Sequence, residues 1–192
     1  NTLSAFYLDF TKDILYIEHP TSQKRLSCQT VFYEILVSLL KLLSPIIPHT
    51  CSEAYDLLAD KEADDIYLTD MPNANLVSDE LEASFDKFMK YRDEILKALE
   101  IARSEKVIGK SFNAKLTITL DAEAKEVFES LNSNIAQILI VSQLELVDGN
   151  AFEVKVEKAE GATCERCWII AKQVNENGLC DKCQGIVDLL TK

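Results

Sequence analysis

The sequence predicts a mainly α protein in which a helical region is followed by a small α+β unit and a four-cysteine zinc finger. Apolar residues recur at helical spacing through most of residues 1–110. Residues 114–120 instead alternate between apolar and polar side chains, as a half-buried strand does. Two Cys-x-x-Cys pairs lie near the C-terminus. We therefore expect domains at residues 1–110, 111–158 and 159–192.

Four helices are predicted in the first domain, and breakers or caps mark their ends. They cover residues 3–17, 23–43, 50–58 and 79–109. The third is expected to begin at a capping box formed by Thr50 and Glu53. An acidic loop at 60–77 is expected on the surface. The apolar run at 35–47 is interrupted by polar residues and proline, so it predicts a buried helix and no membrane span.

The second domain is predicted to mix strands and short helices. A helix capped by Asp121 should follow the strand at 114–120, and residues 135–141 fit either a helix or a strand, of which we favour the helix. Two more strands are expected at 144–147 and 152–156. The turn Asp148-Gly149-Asn150 lies between them and predicts a β-hairpin.

Four of the six cysteines form the pairs Cys164/Cys167 and Cys180/Cys183. Two facing Cys-x-x-Cys loops make a tetrahedral thiolate cage, which is typical of structural zinc and leaves no position for a catalytic water. Twelve residues separate the pairs, fewer than the roughly fifteen to twenty of the common template. Free thiols and disulfides are the alternatives, but paired spacing in so small a module favours a metal.

Arg166 and Trp168 flank the second cysteine of the first pair. An exposed indole beside a guanidinium can stack on an unpaired base, so both are candidate RNA contacts. Trp168 could equally pack over the cysteine loop as a small core. Lys24 and Arg25, at the start of the second helix, are further candidates, with a solvated helix end as the simpler interpretation.

The net charge of −12 restricts where an anionic partner could bind. Most of it falls within residues 51–159, so broad affinity for nucleic acid is not expected, and RNA contacts should lie in the near-neutral end regions. No glycine-rich phosphate loop, nucleophile motif, dinucleotide fingerprint or histidine set is present. No residue is therefore assigned a catalytic role.

Several segments, in one order and spacing, carry a resemblance to a known family: SAFYLD at 4–9, KDILY at 12–16, QTV at 29–31, LLSPIIPHT at 42–50 and VIGKS at 107–111. They resemble the anticodon-binding helical domain of class I aminoacyl-tRNA synthetases for branched aliphatic amino acids. The C-terminal Cys-x-Arg-Cys-Trp and Leu-Cys-x-x-Cys resemble the zinc finger that ends bacterial-type isoleucyl-tRNA synthetases. The resemblance covers nearly the whole chain.

The resemblance implies an antiparallel helical bundle that binds the tRNA anticodon. It also implies a monomeric, cytoplasmic parent enzyme that joins isoleucine to tRNA with ATP, without contact with a membrane. The family's catalytic signatures and editing domain are absent from this sequence, and we expect the first helices of the bundle to be missing too. In the family, the Arg and Trp of the first cysteine loop lie near the anticodon loop, which favours RNA contacts by Arg166 and Trp168.

Three alternatives stay open. The finger could fold back on the enzyme and stabilise it without touching the anticodon. The chain could also be the equivalent region of a valyl or leucyl relative, although the terminal four-cysteine finger argues against both. A related finger closes some DNA glycosylases, but the helical domain and the acidic charge disfavour a DNA-repair module.

Overall fold

A computed structural model describes residues 2–73, 78–131 and 133–191. The chain divides into two compact units, one formed by residues 1–19 with 78–192 and the other by residues 20–77. The elements in chain order are α1 Leu8–Ile17, α2 Gln23–Leu43, α3 Pro48–Asp56, α4 Asp79–Ser104, β1 Ala114–Leu120, α5 Ala122–Ser130, α6 Ile135–Leu139, β2 Gln143–Asp148, β3 Glu153–Lys158, β4 Ala162–Thr163, β5 Ile170–Ala171 and α7 Asp181–Leu190. The predicted mainly helical fold with a small sheet is confirmed, whereas the antiparallel bundle and the three domain boundaries stay predictions.

The unit of residues 20–77 is built on α2 and α3. The α2 helix has the predicted bounds, and its N-cap Ser22 accepts a hydrogen bond from the backbone N–H of Arg25 at 3.2 Å. The α3 helix begins at Pro48, two residues before the predicted cap, because proline is well suited to the first helical position. A small core holds this unit together: Leu40, Cys51, Tyr55 and Ile66.

The loop after α3 is anchored by buried groups, although it was predicted only as an acidic surface loop. The hydroxyl of Tyr55 accepts hydrogen bonds from the backbone N–H groups of Glu62 and Ala63 at 3.0 and 3.2 Å. Ile66, in a short 3₁₀ turn at Ile66–Leu68, is only 2% exposed. The last part of the predicted loop, at 74–77, lies outside the described residues.

An apolar stripe on α2, formed by Leu36, Leu39 and Leu42, is largely exposed, which makes the prediction of a buried helix wrong. Leu36, Leu39 and Leu42 are 41%, 41% and 55% exposed, because α3 and the 3₁₀ turn are the main elements packed on α2 within its unit. By length and composition α2 could cross a membrane, and it is the one such helix in the described part of the chain. A core helix of a soluble protein passes the same test.

The unit of residues 1–19 with 78–192 has a continuous hydrophobic core. Strand β1 buries every second residue, as predicted, and α4 packs its buried face, which includes Phe88 and Ile95, near α5 and β3. The Phe88 ring contacts the Phe128 ring of α5 edge to face at 5.5 Å. A π-helical turn at Thr2–Tyr7 precedes α1 and adds Phe6 to this core.

The predicted hairpin between β2 and β3 is wrong, although both strands exist. The sheet order is β2-β1-β3, with β2 parallel and β3 antiparallel to β1. The parallel pair needs a long crossover, which α5 and α6 supply. Gly149 donates its backbone N–H to the carbonyl of Leu120 at 2.9 Å, and a Cβ on Gly149 would lie 2.1 Å from Thr119 Cγ2. The Asp-Gly-Asn segment therefore crosses closely over the end of β1.

This topology gathers three chain segments at one end of the sheet. Strands β1 and β2 begin there, and the antiparallel β3 ends there, so Ala114 pairs with Lys158 and Lys115 pairs with Gln143. Gly161 then leads into the cysteine module, with a φ of +130° and no room for a side chain, since a Cβ would lie 2.0 Å from the carbonyl oxygen of Ala171. The sheet end therefore positions the candidate site.

Candidate metal centre

The first cysteine pair lies in a tight turn between β4 and β5. Cys164 donates its backbone N–H to Ile169 O at 2.9 Å, and Trp168 donates its own to Cys164 O at 2.8 Å. Trp168 has a φ of 63°, in the left-handed region. This backbone closes the loop around Cys164 and Cys167 and turns the Trp168 side chain outward, where it is 63% exposed.

The second pair lies at the start of α7, where Cys180 is the N-cap and Cys183 is in the first turn. A helix N-terminus carries a partial positive charge, which favours thiolates. The short gap between the pairs is closed by Asn175, whose side-chain oxygen accepts the N–H groups of Asn177 and Leu179 at 3.0 and 2.9 Å. Twelve residues are therefore enough for the two pairs to meet.

The four sulfur atoms form one cluster in which all lie within 4.8 Å of one another. The Sγ atoms of Cys167 and Cys180 are 3.8 Å apart. A tetrahedral zinc site with Zn–S bonds of about 2.3 Å has sulfur–sulfur edges of about 3.8 Å, so the cluster fits such an ion. All six cysteines are free, which contradicts a disulfide framework.

Backbone N–H donors favour the thiolate form of Cys164 before a metal binds. Burial by itself would raise the pKa of Cys164, but the N–H groups of Cys167, Cys180 and Arg166 lower it to about 6. Burial raises the pKa of both Cys167 and Cys183. Since a bound metal ion deprotonates coordinating thiols, it supplies the positive charge that the two buried thiolates need.

Arg166 joins the metal module to α1. One guanidinium nitrogen donates to the carbonyl of Ile17 at 2.7 Å, and another lies 3.7 Å from Cys183 Sγ. Nearby, Lys182 pairs with Glu18 at 2.6 Å, and the Glu18 side chain is only 13% exposed. The module is thus held at the C-terminal end of α1, where cations are favourable.

Trp168 lines a cavity of about 340 Å³ between the module, α1 and α6. Its walls include the apolar Ile17 and Val141 and the polar Asp13 and Gln137. Burial raises the pKa of Asp13 above its ordinary value of 3.8, although the nearby Lys182 opposes the shift. The cavity therefore combines apolar walls with hydrogen-bonding groups.

The sequence predictions missed two residues that attach the module to the sheet. Ser142 Oγ accepts the backbone N–H of Ile170 at 2.8 Å and donates to the carbonyl of Phe112. Gln143 Nε2 donates to the carbonyl of Glu160 at 2.7 Å. The available signal was this polar Ser-Gln pair between two apolar segments.

The other two predicted RNA contacts belong to the unit of residues 20–77. Lys24 is exposed and Arg25 is half-buried, and both lie in the first turn of α2. Arg166 and Trp168 lie with the four cysteines in the other unit.

Comparison with known proteins decides the family. Residues 1–118, more than half of the chain, match the family described as the anticodon-binding domain of tRNA ligase. The chain belongs to this family. The matched part of this anticodon-binding protein contains α1 to α4, while the cysteine module lies beyond it.

Curated relatives extend the similarity across the module. The chain is 46% identical over 202 residues to an isoleucine–tRNA ligase of Listeria innocua, with 96% of this chain and 22% of that protein covered. It is 44% identical over 191 residues to the isoleucine–tRNA ligase of Acholeplasma laidlawii, with coverages of 98% and 21%. It is 43% identical over 202 residues to one from Bacillus cereus, with coverages of 96% and 22%. The chain spans about a fifth of these relatives.

Proposed function

We propose that this chain is the C-terminal anticodon-binding region of an isoleucine–tRNA ligase and that it binds the anticodon stem-loop of tRNA(Ile). The names of the relatives and the family of residues 1–118 support the assignment. The observation that carries it is the exposed Trp168 beside a cavity, on a module fixed to the rest of its unit. Activation of isoleucine with ATP is assigned to parts of the cytoplasmic, monomeric enzyme outside this chain.

The proposed ion in the cysteine cluster is zinc, held by Cys164, Cys167, Cys180 and Cys183. Four thiolates at tetrahedral spacing are the donor set that suits it, and they leave no position for substrate or water. When bound, the zinc supplies structure and not chemistry. It keeps the first cysteine loop, and with it Trp168, in one conformation.

Trp168 is the proposed stacking surface for an unpaired base of the anticodon loop. Stacking suits an indole that is 63% exposed. A base stacked there would lie at the mouth of the adjoining cavity, where Gln137 and Asp13 offer polar groups to its edge. Aromatic stacking supplies affinity, and the polar groups supply discrimination between bases.

The remaining predicted contacts are proposed to contribute less to the affinity for RNA than Trp168 does. Arg166 uses two of its nitrogens on Ile17 and Cys183 and can offer its other N–H donors to RNA. Lys24 and Arg25 are proposed to contact the RNA backbone from the first turn of α2. The predicted domains at 1–110, 111–158 and 159–192 serve here as a frame, a junction and a reading module.

The test is tRNA(Ile) binding by the full-length, zinc-loaded ligase carrying Trp168→Ala. Loss of one base-stacking contact should weaken binding by about 1–3 kcal/mol, which is roughly five- to 150-fold. Trp168→Phe is the matched control and should recover much of the affinity. Unchanged aminoacylation kinetics and unchanged affinity in Trp168→Ala would exclude the stacking role.

A purely structural module is the second candidate function, because Arg166 and Lys182 both bind the end of α1. It predicts that Arg166→Met lowers the thermal midpoint and that Trp168→Ala leaves RNA binding alone. Footprinting of tRNA(Ile) separates the two functions, since only the proposed anticodon contact protects the anticodon loop when the ligase binds.

A further inference from the structure

A second cavity, of about 540 Å³, lies at the end of α4 and is distinct from the cavity beside Trp168. It includes most of the VIGKS segment, which the proposed anticodon contacts leave without a role. Its charged lining residues are all cationic: Arg103, Lys106 and Lys158. We call the cavity that these three residues line the basic cavity.

The basic cavity is unusual for this chain, whose net charge is −12. Among the residues that the structure describes, no carboxylate lies within 4.0 Å of the amino group of Lys106 or Lys158. The Arg103 guanidinium already has two partners, since it pairs with Glu100 at 2.6 Å and donates to Ser111 Oγ at 3.2 Å. Both lysines are exposed, so the cavity offers two cationic side chains to a ligand that arrives from solvent.

The end of a helix accounts for only part of this charge. Lys106 follows α4, and a cation there interacts favourably with the helix dipole. Lys158 comes from the last position of β3, on a different part of the chain, and pairs in register with Ala114. Cationic side chains from two separate elements therefore line one cavity, which suits an anionic ligand.

The position of the basic cavity favours RNA as the source of that anion. Lys158 lies at the sheet end where Gln143 holds the metal module, and only two residues separate it from Gly161. The sheet end that carries Lys158 therefore also carries the module that presents the exposed Trp168. We propose that the basic cavity binds a backbone phosphate of the tRNA, an inference that rests on the proposed function.

The contact is electrostatic and independent of base identity. Each neutralised phosphate releases counterions, so loss of the one phosphate contact should make the plot of log K against log [salt] less steep by about 0.7–0.9. A tRNA with an altered anticodon should keep this contact, because phosphates carry no sequence information.

The experiment compares tRNA(Ile) binding by the intact, zinc-loaded ligase and its Lys106→Gln/Lys158→Gln variant across a salt series. We expect weaker binding at low salt and, because the two lysines share one phosphate, a slope less steep by about 0.7–0.9 in the variant. Lys125→Gln/Lys155→Gln is the matched control, because both lysines already pair with carboxylates. Its slope should change less.

Three outcomes would overturn the proposal. One is an unchanged slope in the Lys106/Lys158 variant while Trp168→Ala still weakens binding, which would leave the proposed function intact. Another is an equal slope change in the control variant. The third is saturable binding of inorganic phosphate that the Lys106/Lys158 substitutions abolish without altering the tRNA slope, which would make the cavity a site for a small anion. Absence of tRNA binding by the unmodified ligase would instead reject the proposed function.

Discussion

The two compact units differ in how completely they bury their apolar side chains. The unit of residues 1–19 with 78–192 has a continuous core around the sheet, in which Phe88, Leu116 and Ile118 are all 0% exposed. In the described part of the unit of residues 20–77, the core cluster has four buried residues, and α2 carries leucines that are 41–55% exposed. The first unit is held by its own packing, and the second presents an apolar helix face.

The same helical pattern thus occurs in a helix that is covered within its own unit and in a helix that is not. An amphipathic pattern indicates that one face of a helix is covered, but it does not indicate which part of the protein covers that face. In α4 the cover is the adjacent sheet and α5. For α2 we expect it from the rest of the proposed full-length ligase, since the matched relatives are more than four times as long as the aligned region.

The largest expected effect concerns the metal module. Cys183→Ser, or chelation, should abolish metal binding and unfold residues 159–192, because zinc contributes on the order of 10 kcal/mol to the folding of such modules. Limited proteolysis and metal analysis measure the change. Cys28→Ser in α2 is the control and should keep the metal. A module that stays resistant to protease without metal would contradict this prediction.

The next effect contrasts the two units directly. Phe88→Ala removes a side chain that is 0% exposed and should cost about 3–5 kcal/mol of unfolding free energy. Leu42→Ala, in the exposed stripe of α2, should cost within about 0.5 kcal/mol in this isolated chain. Denaturant unfolding measures both. Equal costs would mean that the α2 face is covered in solution.

In the full-length ligase the α2 comparison becomes more informative. If the remainder of the enzyme covers α2, Leu42→Ala should cost about 2–5 kcal/mol there, as expected for a buried leucine. Thermal unfolding of the ligase and of the isolated chain gives the two values. An equally small cost in both would leave the apolar stripe without a cover.

The smallest effect depends on pH. Burial raises the pKa of Asp13, so the native state holds its proton to higher pH than the unfolded chain, and the stability from this group falls as pH rises above 3.8. Asp13→Asn should therefore raise the thermal midpoint at pH 7 by a few degrees at most, and by less at pH 4. Glu129→Gln, at an exposed carboxylate, is the control. A lower thermal midpoint for Asp13→Asn at pH 7 would contradict the prediction that the buried carboxylate of Asp13 is destabilising.

Local patterns predicted most elements. The bounds of α2 and β1 follow from their periodicities, and the Asp121 cap is seen as a side-chain hydrogen bond to the Ala124 N–H at 2.9 Å. The spacing of the cysteines predicted the sulfur cluster even with a short gap. These features depend on neighbours in sequence, so the sequence contains what is needed to predict them.

The errors came from contacts that sequence spacing cannot report. Asp148-Gly149-Asn150 is a good hairpin turn, but β1 was already available as a partner for both flanking strands. The attachment of the module through Arg166 joins the carbonyl of Ile17 to a guanidinium from the far end of the chain. The basic cavity likewise combines Lys106, which follows α4, with Lys158 at the end of β3.

The bond between Arg166 and Ile17 sets an order of assembly. Its partners are 149 positions apart in sequence, so closing that loop costs more entropy than a local contact and comes late in folding. During synthesis α1 leaves the ribosome long before Arg166 and the cysteines do, so the bond between Ile17 and Arg166 cannot form until they have been synthesised. Metal uptake by the cysteine cluster then secures the module against α1, and a nascent chain that stops before Cys180 cannot complete this closure.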